Sequence, residues 1–264
     1  MKTFTSTVEY IRQSFDYMGM LRHIEKCGRI CYKSTPKDDN PQKFIKQLIS
    51  RGHLSPLEHG TVYLVLDPLY KSQHDLIEFF KLNKYSVVNF DNSRYAYVTT
   101  NYRVLIENGK GNALEHMTSP MPMHEKRHTF LIHSDIGLSR EGNRHRTFSI
   151  CEQSTRYCNF SKERFSGELE FMEPSWWNIR GMFNRFLAKL GLRISEWVYM
   201  KLIHRGCSPQ EARMVLPLAT GTWYVYTAFE KDWEHFLELR CAAGAHPDMR
   251  VLAESIRSVI ESIK

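Results

Sequence analysis

Arg144-His145-Arg146-Thr147-Phe148-Ser149-Ile150-Cys151-Glu152-Gln153-Ser154-Thr155-Arg156-Tyr157 is a stretch with a two-residue rhythm. Arg144 and Arg146 lie two apart, and Glu152, Ser154 and Arg156 repeat the step. In an extended backbone, side chains two apart share a face. The pattern therefore predicts a strand that aims two guanidiniums, then a carboxylate, a hydroxyl and a third guanidinium, into one cavity. Arginine offers five donors in a planar fork that fits phosphate and carboxylate. Residues 140–164 hold six Lys or Arg against three Glu. A solvated basic loop fits such a run, as does an RNA- or DNA-binding module built on 140–164. The carboxylate, serines and tyrosine among the arginines favour an anionic ligand with a polar ring.

Outward from this segment, the chain is ordinary in composition. Its 264 residues are 42% hydrophobic and 25% charged, which fits a soluble globular protein large enough to bury most of its apolar surface. No apolar run approaches the ~20 residues of a membrane span, and Met1-Lys2-Thr3-Phe4-Thr5 lacks the apolar core of a signal peptide. A cytoplasmic location is expected. The six cysteines, at 27, 31, 151, 158, 207 and 241, are then expected to be reduced. Their spacing gives no zinc pattern, and no metal site is expected. The net charge of +7 permits nucleic-acid binding, but the basic residues are spread along the chain. A nucleotide phosphate, a folate tail or a dinucleotide would explain the same bias.

Helical periodicity predicts helices over 21–32, 41–51, 74–83, 231–241 and 247–263. The longest helical stretch runs from 178 to 205. There Ile179, Met182, Phe183, Phe186, Leu187 and Leu190 recur at helical spacing, with Gly191 expected to interrupt and Gly206 to cap. Strands are expected over 61–66, 95–106, 128–133 and 222–229. Ser208-Pro209-Gln210-Glu211 reads as a capping box with proline at the first helical position. Helices and strands mix without strict βαβ alternation. This predicts an α+β fold, a mixed sheet flanked by helices, in a single compact domain, 1–264, with a long helical segment. The chain has no Gly-x-Gly-x-x-Gly and no Gly-x-x-x-x-Gly-Lys-Ser/Thr, so a dinucleotide is not held by a Rossmann or P-loop turn.

Gly52-His53-Leu54-Ser55-Pro56-Leu57-Glu58-His59 reads first as a capping box from Ser55 to Glu58, which leaves the flanking His53 and His59 unexplained. On the helix from Lys231, the residues Trp233, Phe236, Leu237 and Arg240 share one face. A guanidinium on an apolar face needs an anion or acceptors. A structural carboxylate or snorkelling to the edge would also satisfy it. Arg213, in Glu211-Ala212-Arg213-Met214-Val215-Leu216-Pro217, reads by itself as a surface charge.

Arg144-His145-Arg146 followed after seven residues by Ser154, with Glu152-x-Ser154-x-Arg156-Tyr157, resembles the signature of flavin-dependent thymidylate synthases. The likeness extends over 27–32, 52–59 and 211–250. It implies reductive methylation of dUMP to dTMP, with FAD as cofactor and with NADPH and methylenetetrahydrofolate as co-substrates. It implies that Glu141, Arg144, Glu152, Gln153, Ser154, Thr155, Arg156, Arg213 and Arg240 bind dUMP. Arg240 is then the catalytic residue that stabilises charge on the uracil ring. Ser55, Arg144, His145, Arg146, Glu152 and His235 are implied as FAD contacts, with His53 and His59 behind them. It also implies a homotetramer with sites at subunit interfaces, and neither a membrane nor a nucleic-acid partner. The absence of a Pro-Cys dipeptide argues against the cysteine-dependent route to the same product. Four positions depart from the usual residues. Glu141 stands for glutamine, Cys151 and Phe229 stand for asparagine, and His246 stands for glutamine.

Overall fold

A computed structural model describes residues 1–36, 39–92, 94–162 and 167–263. Glu163 and Arg164, counted in the basic 140–164 segment, lie outside the described residues.

The centre of the fold is a four-stranded antiparallel sheet in the order β2 (Thr7–Tyr10), β6 (Arg127–Asp135), β9 (Gly221–Phe229), β7 (Ser149–Glu152). Alternation along β6 and β9 divides the sheet into two faces. Phe130, Ile132, Tyr224, Tyr226 and Ala228 point one way, onto α8 (Glu230–Arg240) and α9 (Pro247–Ile263). Leu131 and Val225 point the other way, with Ile11 and Cys27 of α1 (Tyr17–Ile30). Trp233 of α8 is fully buried and donates its indole N–H to the His128 carbonyl at 3.1 Å. Burying such a ring supplies roughly 1.5–3 kcal/mol or more of transfer free energy.

A second antiparallel sheet, in the order β3 (Thr61–Leu66), β5 (Ala96–Asn101), β4 (Val87–Phe90), packs on α1, α2 (Pro41–Ser50) and α3 (Lys71–Leu82). The third is the parallel pair β1 (Lys2–Phe4) and β8 (Glu170–Met172). The α+β class is as expected. The strands are divided over three sheets among the described residues, and parallel pairing is confined to the smallest.

Most elements fall where periodicity places them; the exceptions have local causes. Residues 95–106 are not one strand. Asn101 accepts from the Val104 N–H at 3.1 Å and caps α4 (Tyr102–Glu107), so a side-chain cap ends the strand. The Ser55–His59 segment is a 3₁₀ turn without a side-chain cap, because Glu58 pairs with Arg103 at 2.5 Å instead of reaching back. The Ser208–Glu211 capping box forms as expected and opens α7 (Pro209–Ala212). Gly206, at φ 94°, follows the end of α6 (Met182–His204).

Helix α6 begins at Met182 rather than 178 and passes through Gly191 without a break. Its apolar repeat does not face this chain's core: only Tyr199 is buried. Phe183, Phe186, Leu190, Ile194 and Trp197 are 71, 60, 44, 53 and 62% exposed.

Candidate active site

Helix α5 (Ile136–Gly142) starts at Asp135, whose carboxylate accepts from the Leu138 N–H at 2.7 Å. It ends against β9, where a Cβ on Gly142 would collide with the Tyr226 ring. Only glycine lets the helix end approach so closely.

The chain then turns. His145 N–H bonds to the Gly142 carbonyl at 3.0 Å, and Phe148 N–H to the His145 carbonyl at 3.1 Å. The predicted strand is therefore confined to Ser149–Glu152, and Arg144 and Arg146 lie in the turn. The two-residue rhythm misleads because burial governs the turn: His145 and Phe148 pack inward on Phe236, and both arginines are left outside.

Arg240 ends α8 and reaches this turn. Its Nε–H donates to His145 Nε2 at 3.1 Å, Nη1 to Glu141 Oε2 at 3.1 Å, and Nη2 to the Glu141 carbonyl at 2.6 Å. The half-buried guanidinium thus finds the carboxylate its position demands, and that carboxylate is Glu141. His145 must be neutral, with its proton on Nδ1, to accept from Arg240. Burial, then the Arg240 and His235 charges, hold its pKa down to about 4. His235 is exposed on α8, its ring 6.1 Å from that of His145.

Glu152 closes β7. Ser139 donates to its Oε1 at 2.6 Å and Thr222 at 3.3 Å, and Asn143 Nδ2 lies 3.5 Å from Oε2. Gln153 is buried, and its N–H bonds to the Trp223 carbonyl at 2.8 Å. Ser154 N–H is held by the Cys31 carbonyl at 2.9 Å, and Ser154 Oγ accepts from Arg156 N–H at 3.2 Å. Arg213, just past α7, donates to Thr155 Oγ1 at 3.2 Å. Arg156 and Arg213 are both exposed beside this serine and threonine.

Ser55 and His53 are exposed, on a turn that packs against β7. His59 is placed differently from a ligand contact. It is fully buried and bonded through Nδ1 to Thr227 Oγ1 at 2.8 Å, and burial holds its pKa well below the usual imidazole value. His246 is exposed, with Nδ1 3.9 Å from Asp248 Oδ2.

Arg146 lines a cavity of about 410 Å³ with Lys84, Arg127, Phe229, Lys231 and Asp232. Among the described residues Arg127 has no carboxylate partner. Its guanidinium donates to the Glu58 carbonyl at 3.1 Å, Thr61 Oγ1 at 3.2 Å and Ser149 Oγ at 3.3 Å, and its Nε–H is unpartnered. Burial lowers its pKa to about 10, so an anion in the cavity would relieve it. Phe229 gathers two of these cations: the Arg127 guanidinium carbon and Lys231 Nζ lie 5.4 and 5.7 Å from its ring centre. Sequence reasoning misses Arg127, which opens a strand of mixed polar and apolar residues and so does not stand out there. Lys84 carries no signal either, because only the fold brings β4 to this cavity.

No group of His, Cys, Asp and Glu among the described residues is placed to hold a metal ion. No helix among them is long and apolar enough to cross a membrane.

A flavin-dependent thymidylate synthase of Thermus thermophilus is 30% identical over 139 residues, covering 50% of this chain and 51% of the relative. The match thus spans about half the length of that relative. The flavin-dependent thymidylate synthase of Aquifex aeolicus is 23% identical over 92% of this chain and 95% of its own. The crystal structure of a UMP/dUMP methylase, PolB, from Streptomyces cacaoi bound with 5-Br UMP aligns with a TM-score of 0.49 and 18% identity, covering 99% of this chain and 92% of the other. The profile of the family described as thymidylate synthase complementing protein matches residues 102–263, and the chain belongs to that family, the flavin-dependent thymidylate synthases.

Proposed function

We propose that this chain is a cytoplasmic enzyme that converts dUMP to dTMP by reductive methylation. Methylenetetrahydrofolate is the one-carbon donor, and FAD, reduced by NADPH, is the cofactor. The observation that carries this reading is Arg240. Glu141 and His145 take up three of its five N–H groups, which leaves one on each terminal nitrogen for a ligand. A cation fixed in this way is preorganised to meet negative charge as it develops on the uracil ring. C5 of uracil is a poor nucleophile, and stabilising charge on N3 and O4 raises electron density at C5. Arg240 does not reorganise to do this, because its other donors are already engaged.

Ser154, Thr155, Arg156 and Arg213 supply hydroxyls and two exposed guanidiniums in one place, which suits the dUMP phosphate. Glu152 Oε2 is the less engaged oxygen of its carboxylate and suits a ribose hydroxyl. The Arg146 cavity suits the FAD diphosphate, since four cations there face one carboxylate, Asp232. When bound, FAD supplies the hydride that completes the methyl group. The protein supplies placement and charge. Cys151, the cysteine nearest in sequence to Glu152, is buried and its thiol is pushed up, which fits a route without a cysteine nucleophile.

We further propose that residues 1–264 act as one domain and assemble into a homotetramer. The exposed apolar stripe of α6 exceeds what a solitary soluble chain usually leaves uncovered. Self-association through it would bring sites to subunit interfaces.

The deciding experiment is a spectrum and an assay on one preparation. The purified protein should take up FAD, absorb near ~450 nm as flavoproteins do, and form dTMP from dUMP, methylenetetrahydrofolate and NADPH. A colourless protein that does not take up FAD would overturn the reading.

A further inference from the structure

A cavity of about 460 Å³ opens between the turn Ser175–Asn178, α6 and the start of α9. Met172, Trp176, Trp177, Leu187, Leu192 and Pro217 make most of its wall apolar. It shares no residue with the Arg240 clamp, the Ser154–Arg213 cluster or the Arg146 cavity. Its size falls within the range of small-molecule sites.

Two polar groups at this wall lack partners. Trp177 is 4% exposed, and its Nε1–H has no acceptor among the described residues. Its ring is held in place: Trp176 meets it edge to face at 6.2 Å, and Arg185 and Lys189 of α6 lie over it at 5.5 and 5.2 Å. Leaving such a donor unpaired is costly. Asp248 is 7% exposed. Its Oδ1 accepts from Ser175 N–H at 2.8 Å, whereas Oδ2 has His246 Nδ1 at 3.9 Å, beyond hydrogen-bond reach. That nitrogen already accepts from the Asp248 N–H at 3.3 Å, so it does not donate to Oδ2. Asp135 lines the same cavity while its Oδ1 caps α5. Burial raises the pKa of its carboxyl, and the Asp248 charge adds to the shift. A ligand that brings N–H donors would relieve both carboxylates.

Gly191 lines the cavity from the middle of α6. Helix interiors disfavour glycine relative to alanine. A Cβ at Gly191 would meet no heavy atom within 4 Å, so packing against the described residues does not call for glycine. The missing side chain leaves room on the cavity side.

An apolar slab with an indole N–H and carboxylates at its wall selects a flat ring whose edge carries both donors and an acceptor. A 2-amino-4-oxopyrimidine edge has all of these: an amino group and a ring N–H for a carboxylate, and a carbonyl for an indole N–H. Guanine and the pterins share it. We propose that this cavity binds a planar heterocycle through a 2-amino-4-oxopyrimidine edge, with Asp248 and Asp135 accepting its N–H groups and Trp177 Nε1–H donating to its carbonyl. The ring then occupies the space that Gly191 leaves open.

The test is calorimetric titration of the full-length protein with guanosine and, separately, with biopterin. At least one should bind, and the tighter of the two names the source of the edge. Inosine and lumazine, which lack the amino group, should bind about tenfold or more weakly than guanosine and biopterin, the loss expected when a buried acceptor is left unpaired. Asp248→Asn and Asp135→Asn each keep an oxygen for the backbone N–H they accept, since asparagine also caps, and each should weaken binding by a similar factor. Gly191→Leu suits a helix interior better than glycine, so it should keep the far-ultraviolet spectrum and abolish binding. No heat with either ligand up to ~1 mM, equal affinity for the amine-free analogues, or wild-type affinity in Gly191→Leu would each overturn the proposal. Gly191→Leu that alters sedimentation and leaves affinity intact would assign the glycine to contact between copies, and the proposal would fall with it. None of these readings uses FAD or dTMP formation, so the failure of this site and the failure of the proposed reaction are told apart.

Discussion

Arg240 Nε donates to His145 Nε2 across 3.1 Å, and this bond joins the last residue of α8 to the turn before β7. It fixes the imidazole as the Nδ1–H tautomer and leaves Arg240 no freedom to swing toward solvent. The Glu141 carboxylate completes the clamp at 3.1 Å. The departure at position 141 thereby has a physical account: a carboxylate, unlike the usual amide, gives the half-buried cation its counter-charge.

Arg240→Ala removes this preorganised cation. Turnover to dTMP should fall by ~10²–10³, the cost typical of losing one oriented transition-state donor. FAD uptake should persist, because the cationic cavity is lined by other residues. Arg240→Lys should recover little, since an ammonium cannot serve Glu141 and His145 with the geometry of a planar fork. Steady-state rates and a flavin spectrum on the same samples check both points; unchanged turnover in the alanine variant would refute the role.

Protonating His145 should break the clamp. Its pKa is held down to about 4, and those of His23 and His133, also through burial, to about 4; the unfolded chain's imidazoles titrate near ~6.5. Between these values the unfolded state binds more protons than the folded one, so acid favours unfolding. Stability should be fully present above pH ~6.5 and be lost as pH falls toward 4. Urea midpoints across that window measure this. A flat profile would mean that these histidines are not buried neutral.

The proposed phosphate role of the Ser154–Arg213 cluster is tested through binding rather than rate. Arg213→Ala and Arg156→Ala each remove an exposed guanidinium beside Ser154 and Thr155. KM for dUMP should rise by about 10–100-fold, which corresponds to ~1.5–3 kcal/mol for a charge-assisted hydrogen bond. Binding of deoxyuridine, which lacks the phosphate, should not change. An equal loss for both ligands would place these arginines elsewhere.

Local and global signals were legible to different degrees in the sequence. Helices α1, α2, α8 and α9 follow apolar periodicity because each buries one face, whereas strands β3, β6 and β9 are short runs buried on both faces. The Ser208 capping box is complete within four residues, and it forms. The Ser55 box fails because a residue 45 positions away in the chain, Arg103, takes its glutamate. Arg144 and Arg146 share the spacing of a strand, but inward packing of His145 and Phe148 makes a turn. Arg240 could be singled out on its apolar face, whereas its partner Glu141 depends on how α5 meets α8. Arg127 and Lys84 were not legible, since their place in one cavity depends on distant segments being brought together.

Lys84 tests the cavity without disturbing the core. It is exposed near β4, with its ammonium 4.8 Å from the Tyr85 ring centre. Lys84→Glu reverses one of four positive charges and should weaken FAD binding by about tenfold at low salt, with the difference shrinking as ionic strength rises. Riboflavin, which has no phosphate, should bind both proteins alike. Fluorescence titration of the two flavins at two salt concentrations separates a diphosphate contact from a general loss of structure.

The α6 stripe gives the last test. Phe186 and Trp197 are 60 and 62% exposed, so replacing them costs the isolated chain little packing. Phe186→Glu with Trp197→Glu should leave the far-ultraviolet spectrum unchanged and shift sedimentation from tetramer to smaller species. If the sites are built between subunits, dTMP formation should fall in parallel with dissociation and recover as protein concentration rises. Full activity from a dissociated double variant would show that one chain suffices for a complete site. In that case the Ser154–Arg213 cluster and the Arg240 clamp must serve the same dUMP molecule from a single subunit.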